Sequence, residues 1–585
     1  MRSGLVLAGL WAAGALVFFT GATWGLPSRA VDRYLFGSPE RAWSAAEIVA
    51  RGGAWTPDPQ RAADQDPNPV AERDRLVWVN ETDRQKADII RRYRLFSYQP
   101  DEMVTFMALS GMRGGSFDPR MYQYGGLWIY PIGAMLKVAS LQSVGLVTLK
   151  PEMSHYLDHP EDFGRFYVVA RVYSGLWGLV GIWAVYRLTT RFTRKRLAAA
   201  AAGACFLLMP IVVNGAHEAK PHLAGAVLVL LAALAAPKYV ETGRRRWWVV
   251  AGVLCGMAVG MVISAVVALA IVPLMVLLRR QSWGERVRIA LGAGALAVLV
   301  YCVTNPYVPI NLVRDPTVVR ENLTALGKAK AIFGESSDVG ALRNARRLII
   351  DGASIVGGVF GLTGLLIAAV NLRWWASHGR GGVVAILLGV PAGIVLVQFV
   401  ALAGGKAAEF GRFAILPDVA LVMVGVVLAF SLRVARWWSG PIFATLVLLT
   451  GLHGLAYLAA FRADTKPAET SRMLAAERLE ELWARGARTL AMPADPAPYC
   501  LPPVDVTRWK LLLLPADRKV PEGGPWPDVI VSPVDDVSRG GAVPGTPYAR
   551  STVGTNRSWG KARISWADKP FEILARRELL EPARP

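Results

Sequence analysis

The sequence predicts a mainly α-helical, polytopic membrane bundle of about 11–13 spans, with helices lying along its outer face and a small C-terminal α/β domain. Three observations predict it. Hydrophobic residues make up 53% of the 585 positions and charged residues 19%, with a mean hydropathy of +0.34, a balance foreign to soluble domains and to disordered chains. Apolar runs recur at close to the ~20 residues that cross a bilayer. Arginines gather in the short segments between those runs, as they do in cytoplasmic loops.

The arginine segments explain the formal charge of +21. "RFTRKR" from Arg191, "GRRRWW" from Gly243, "RRQSWGERVR" from Arg279, "LRWWASHGR" from Leu372 and "LRVARWW" from Leu432 each separate two apolar runs. Such loops meet anionic lipid, and no nucleic-acid recognition module accompanies them. Of the 4 cysteines, Cys205, Cys255 and Cys302 fall in apolar runs, and Cys500 stands alone. No CxxC occurs, so neither a zinc site nor a disulfide framework is indicated. The first apolar run is too long for a signal-peptide core and lacks an A-x-A site, so it reads as a first span with Arg2 on the inside.

Candidate spans start near Leu5, Tyr167, Leu197, Leu223, Trp247, Ser264, Ile289, Leu348, Val383, Phe413 and Pro441. The run from Trp247 to Leu278 exceeds one helix and fits a hairpin turning near Gly260. This count puts the N-terminus inside and the C-terminus outside. The segment from Leu127 to Val147 also looks long enough to span. It carries Pro131, Gly133 and Lys137, so a re-entrant or surface-lying helix is the alternative. The chain divides into a membrane domain, 1–461, whose outer loop is 27–121, and an extracytoplasmic α/β domain, 462–585. The latter holds an amphipathic helix, "SRMLAAERLEELWARGA", and short apolar runs such as "DVIVSP".

The outer segments hold the candidate chemistry. Asp101 and Glu102 precede "MVTFMALSGM", where Met103, Phe106, Met107, Leu109 and Met112 form the apolar face of a helix expected to lie on the membrane. Spacing alone favours a plain N-cap for Asp101; the alternative is a working carboxylate. "HEAKPH" places His217, Glu218, Lys220 and His222 at the outer end of a span. There a lysine and a histidine can hold an anionic leaving group, or Lys220 can simply snorkel. "GKAAEFGRFAILP" adds Lys406 and Arg412, a phosphate clamp or a flanking anchor. The pairs His217/His222 and His155/His159 match no metal-ligand spacing. P-loop, HExxH and GxSxG motifs are missing.

Taken in order, these pieces resemble the GT-C superfamily of membrane glycosyltransferases, in particular the protein O-mannosyltransferase and aminoarabinose transferase branch. The resemblance covers most of residues 1–461. It rests on the Asp101-Glu102 pair after a first span, on "YGGLWIYPIGAML", and on Arg171 in "ARVYSGLWGLVGIWAVYRLTTRF". It continues through "LMPIVVNGAHEAKPH", "TNPYVPIN" with Asn305 and Tyr307, and "GRFAILP". Two departures stand out: His222 occupies a position where the family usually has Asp, and the loop before Asp101 is longer than usual.

The resemblance implies transfer of a sugar from a polyprenyl-phosphate donor to a hydroxyl of a protein, lipid or glycan, at the extracytoplasmic face of the cytoplasmic membrane. Asp101 and Glu102 would then be catalytic. Lys220, His222 and Arg412 would bind the donor phosphate, and Arg171, His217, Asn305 and Tyr307 would be further motif positions. No metal ligand is assigned, and a divalent metal requirement is left open. The rival readings are a lipid-linked sugar flippase or transporter, and a polysaccharide ligase or polymerase. A flippase should show charges lining several spans, whereas here they gather at one face.

Overall fold

The computed structural model describes residues 2–53, 76–112, 115–322, 324, 349–370, 380–397, 411–431, 435–493, 495–515, 526–533, 541–542, 546–554 and 565–580. Lys406 and Leu348 lie outside the described residues. The principal helices are α1 (Arg2–Phe19), α2 (Asp83–Leu95), α3 (Met103–Gly111), α4 (Gly126–Ala139), α5 (Pro160–Thr193), α6 (Arg196–Leu208), α7 (Pro210–Ala216) and α8 (His222–Thr242). They continue as α9 (Arg245–Met261), α10 (Trp283–Thr304), α11 (Ile355–Val370), α12 (Arg380–Val397), α13 (Ile415–Ser431), α14 (Ala435–Ala463) and α15 (Ser471–Ala484).

Among the described residues five helices are long and apolar enough to cross a membrane: α5, α8, α10, the Arg412–Phe430 stretch containing most of α13, and Trp438–Ala463 within α14. The pair α6 and α7, bent by 57°, makes a sixth if taken as one span. The sequence count of about eleven also takes in shorter apolar helices, among them Gly4–Phe19, Ile263–Leu277 and Gly382–Val397, that fall below this length. Pro210 opens α7 and cannot continue the hydrogen-bond ladder of α6. The run from Trp247 does fold back, but it turns at the extended residue Val262 and returns as a 3-10 helix, Ile263–Ala270, followed by Ile271–Leu277.

In the ambiguous segment at 127–147 the helix is shorter than a full span. Helix α4 has 14 residues, about 21 Å at ~1.5 Å per residue, against the ~30 Å of a hydrocarbon core. Beyond it the backbone NH groups of Leu146 and Val147 both return to the Ala139 carbonyl. "YGG" has a packing reason at the entry to α4. A Cβ on Gly125 would stand 1.9 Å from the Gly260 carbonyl oxygen, and one on Gly126 1.9 Å from that of Thr304. Only glycine lets α4 seat its start against the ends of α9 and α10.

The basic ends of α5 and α8 lie together at one end of the bundle. Arg191 at the end of α5 pairs with Glu241 at the end of α8 at 2.7 Å. The Lys195 ammonium donates to the Phe430 carbonyl. The opposite end carries α3, α4 and the C-terminal sheet.

Among the described residues that sheet has seven strands in the order β1-β3-β2-β4-β7-β6-β5. They are β1 (Val77–Trp78), β2 (Thr489–Met492), β3 (Lys510–Leu513), β4 (Val529–Pro533), β5 (Gly541–Ala542), β6 (Tyr548–Val553) and β7 (Phe571–Arg576). β3, β2 and β4 are parallel and the flanking strands antiparallel. β1 comes from the outer loop, a contribution the sequence reading does not foresee. Asn80 just after it donates to the Val506 and Trp509 carbonyls at 2.9 and 2.7 Å and accepts from Leu511 NH. The outer loop and the C-terminal segment are therefore built into one layer.

Candidate active site

The neighbouring acids at the start of α3 have opposite surroundings. Neither caps the helix: Glu102 is the residue at the N-cap, with helical backbone angles, and its side chain makes no capping bond. The expectation that the helix lies on the membrane is also corrected for part of its apolar face. Met103 and Phe106 are buried, and Phe106 packs among Phe163, Phe166 and Tyr167. The hydrophobic residues of α3 find protein rings on α5 rather than lipid.

Glu102 is sealed. Its side chain and that of Arg171, on α5, have no exposed surface. The two meet as a fork, Nε to Oε1 at 2.9 Å and Nη2 to Oε2 at 2.6 Å. Arg171 Nη1 also donates to the carbonyls of Ala22 and Trp24. Glu102 further accepts from the Ser97 hydroxyl and the Ala219 NH, each at 2.6 Å. A buried ion pair holds only when its remaining lone pairs and protons are satisfied in this way. The junction ties together the end of α1, the start of α3, the middle of α5 and the loop after α7.

Asp101 stands at the open edge of that junction, with 37% of its side chain exposed. Lys220 Nζ lies 3.0 Å from its Oδ2, and the Arg412 guanidinium pairs with the same oxygen. Burial raises the Asp101 carboxyl, but the two cations outweigh it and hold the group well below the usual carboxylate range. Lys220 also lies 3.7 Å from Glu218, whose carboxyl is pushed up by burial.

A narrow cleft opens beside this cluster between α7, α8 and the start of α13, with Asn214, Glu218, Lys220, His222 and Arg412 among its walls. Asp101, Lys220 and Arg412, far apart in sequence, thus share one set of contacts. The His222 ring lies edge-on to Tyr124 and Phe413, at 5.8 and 5.3 Å, and lines the same cleft.

The other predicted positions serve packing contacts in this structure. His217 stacks on Phe461 at 4.2 Å, with its ring nitrogens against the Val213 and Thr20 carbonyls. Burial lowers its imidazole to about 4. Asn305 accepts from Gly126 NH at 2.7 Å and so fixes α4 to the end of α10. The Tyr307 hydroxyl accepts from Phe117 NH. Asn214 carries no sequence signal of function, and Glu218 has a place beside Lys220 but no role that sequence assigns. The one available signal is that both precede Lys220 at one span end. Among the described residues no group of three or more His, Cys, Asp or Glu side chains is placed to hold a metal ion. The acids of the site are instead met by lysine and arginine, Asp101 by Lys220 and Arg412 and Glu102 by Arg171.

The family described as dolichyl-phosphate-mannose-protein mannosyltransferase matches residues 163–307. That stretch contains Arg171, Lys220 and His222, and leaves out Asp101 and Arg412. Among solved structures, the chain is similar to ArnT from Cupriavidus metallidurans bound to undecaprenyl phosphate. The identity is 17%, over 68% of this chain and 71% of that one, with a TM-score of 0.39. It is also similar to the Archaeoglobus fulgidus oligosaccharyltransferase AglB in complex with an inhibitory peptide and a dolichol-phosphate. There the identity is 14%, over 82% of this chain and 58% of that one, with a TM-score of 0.38. No curated protein matches. The family match supports the resemblance to GT-C membrane glycosyltransferases that the sequence motifs carry.

Proposed function

We propose that this integral membrane protein transfers a sugar from a polyprenyl-phosphate donor to a hydroxyl acceptor at the extracytoplasmic face of the cytoplasmic membrane. The observation that carries the reading is the Asp101 carboxylate held between Lys220 and Arg412 at one end of a helical bundle. One base and two cations are what glycosyl transfer from a phosphate requires. The acceptor oxygen attacks C1 of the sugar as the bond from C1 to the phosphate oxygen breaks. Asp101 takes the hydroxyl proton as attack develops, and its charge favours the oxocarbenium-like transition state. The departing polyprenyl phosphate keeps the electron pair, and Lys220 and Arg412 meet the charge it gains.

The present pairing adds an order to these steps. A carboxylate clamped by two cations is a weak base. A donor phosphate competing for Lys220 and Arg412 would release Asp101 just when the acceptor needs it. Glu102 has no free lone pair to offer and is buried; in this reading it positions Asp101 by fixing the start of α3. The rival flippase reading has no specific observation in its favour.

The reading is tested by mass spectrometry of glycolipids and glycoproteins with and without the gene. Purified protein given a polyprenyl-phosphate sugar should also transfer or hydrolyse it. Absence of both sinks the proposal. The proposed facing puts positions 101 and 222 outside and positions 194 and 245 inside. Labelling of introduced cysteines at 101 and 194 by an impermeant reagent from the same side would refute it.

A further inference from the structure

We infer that the cleft beside Asp101 receives a hydroxymethyl arm of the transferred sugar, with Asn214 and Glu218 reading its hydroxyl. The inference rests on the proposed function. Asn214 Nδ2 donates to Glu218 Oε1 at 3.0 Å; against an ionised Glu218 the flipped amide would set oxygen against oxygen. Its Oδ1 is then a buried acceptor without a hydrogen-bond partner among the described residues, and the same holds for His222 Nδ1. Both residues line the cleft. Buried polar atoms left unpaired are rare because they lose their hydration without replacement.

The chemistry of the walls narrows what can enter. A cation would stand beside Lys220 and Arg412, and an anion without a proton to donate cannot satisfy the Asn214 Oδ1 acceptor. A small neutral O–H donor remains. The space accepts roughly one water-sized group, too little for a sugar ring. Ile211, Leu223 and Ile415 supply apolar wall, which suits a methylene that carries the hydroxyl to Asn214 Oδ1. Lys220 and Arg412 belong both to the cleft and to the Asp101 cluster. A sugar whose C1 lies between Asp101 and the phosphate therefore has its substituents within reach of this opening.

The test measures binding of polyprenyl-phosphate glucose, galactose and mannose, of their 6-deoxy counterparts, and of sugar-free polyprenyl phosphate. Wild type should prefer at least one hexose over its 6-deoxy form by about tenfold or more. Asn214→Leu should bring that ratio to within about twofold and leave sugar-free polyprenyl phosphate binding unchanged. Gly215→Ala guards against misfolding: its Cβ would meet Leu223 and Ile415 at 3.4 and 3.5 Å, ordinary contact. The added methyl narrows the cleft and should shift preference toward 6-deoxy donors. Equal binding of every hexose and its 6-deoxy form by wild type overturns the inference. So does a preference that neither variant alters, the result expected if the cleft holds only a structural water. If wild type binds no polyprenyl phosphate, with or without sugar, the proposed function falls and the cleft assignment with it. Binding of the lipid phosphate without hexose preference sinks the cleft assignment alone.

Discussion

Asp101 and Glu102 are adjacent in the chain, yet they belong to different regions of the molecule. Around Glu102 every lone pair and proton is matched inside protein, and Arg171 reaches backbone from two further segments. Around Asp101 two cations crowd one partly exposed oxygen, and alongside lies a cleft with polar atoms that find no partner among the described residues. A closed ion pair fixes geometry. An open cluster with surplus positive charge at its edge is suited to exchange partners. The comparison teaches that charge type does not sort structural from working residues; completeness of satisfaction does.

The largest effect should come from breaking the sealed region. Glu102→Ala strands the Arg171 guanidinium in a buried site and should cost ~3–5 kcal/mol of stability, visible as poor yield or a lowered melting temperature in detergent. A Glu102→Ala protein that melts like wild type would erase the contrast. Asp101→Asn should do the reverse: normal melting, with transfer per folded molecule down by ~10²-fold or more. Near-normal turnover would remove Asp101 from its role.

Removing a cation should act on the donor. Lys220→Met or Arg412→Ala should lose ~2–4 kcal/mol of transition-state stabilisation, seen as slower turnover or weaker donor binding. Arg412→Lys should restore only part of this, because an ammonium lacks the planar fork that grips two oxygens. If both cations merely anchor the helix ends, alanine will change insertion and leave turnover per folded molecule untouched.

The smallest effect concerns pH and lies at the rim of the sealed region. Burial holds His217 near 4, below its ordinary 6.5, so the folded state binds fewer protons there than the unfolded chain. Its stabilising contribution is complete above about pH 6.5 and is lost as pH falls from 6.5 through 4. Wild type should therefore lose more melting temperature over that window than His217→Phe, which keeps a ring against Phe461. Parallel pH profiles would show that His217 does not titrate in this way.

Composition and arginine spacing were enough to read a helical membrane protein. The apolar runs within α5, α8 and α10 could be placed because long apolar runs allow few alternatives, but α5 and α10 begin earlier, at Pro160 and Trp283, than the expected Tyr167 and Ile289. Lys220 and Arg412 were legible individually as basic residues at span ends. Their convergence on Asp101 was not, because contacts across 119 and 311 positions leave no local periodicity. The N-cap expected for Asp101 failed for a similar reason: cations from two other helix ends compete for the carboxylate more strongly than one turn of backbone. Glu218 and Asn214 were invisible as a pair, since a four-residue spacing on a short helix end is common and chemically mute. Strand β1, two residues long, carries no pattern that sequence could display.

By itself the sequence determined the membrane class, the order of the polar segments and the basic and acidic residues available at span ends. Hydrophobicity and charge are additive along a chain, so those properties survive without knowledge of contacts. The tertiary structure alone decided which acid is enclosed and which is open, how far α4 reaches, and that the outer loop completes the C-terminal sheet. Each depends on which groups meet across the fold. Satisfaction of a buried charge belongs to a set of neighbours, and neighbours are assembled only by packing.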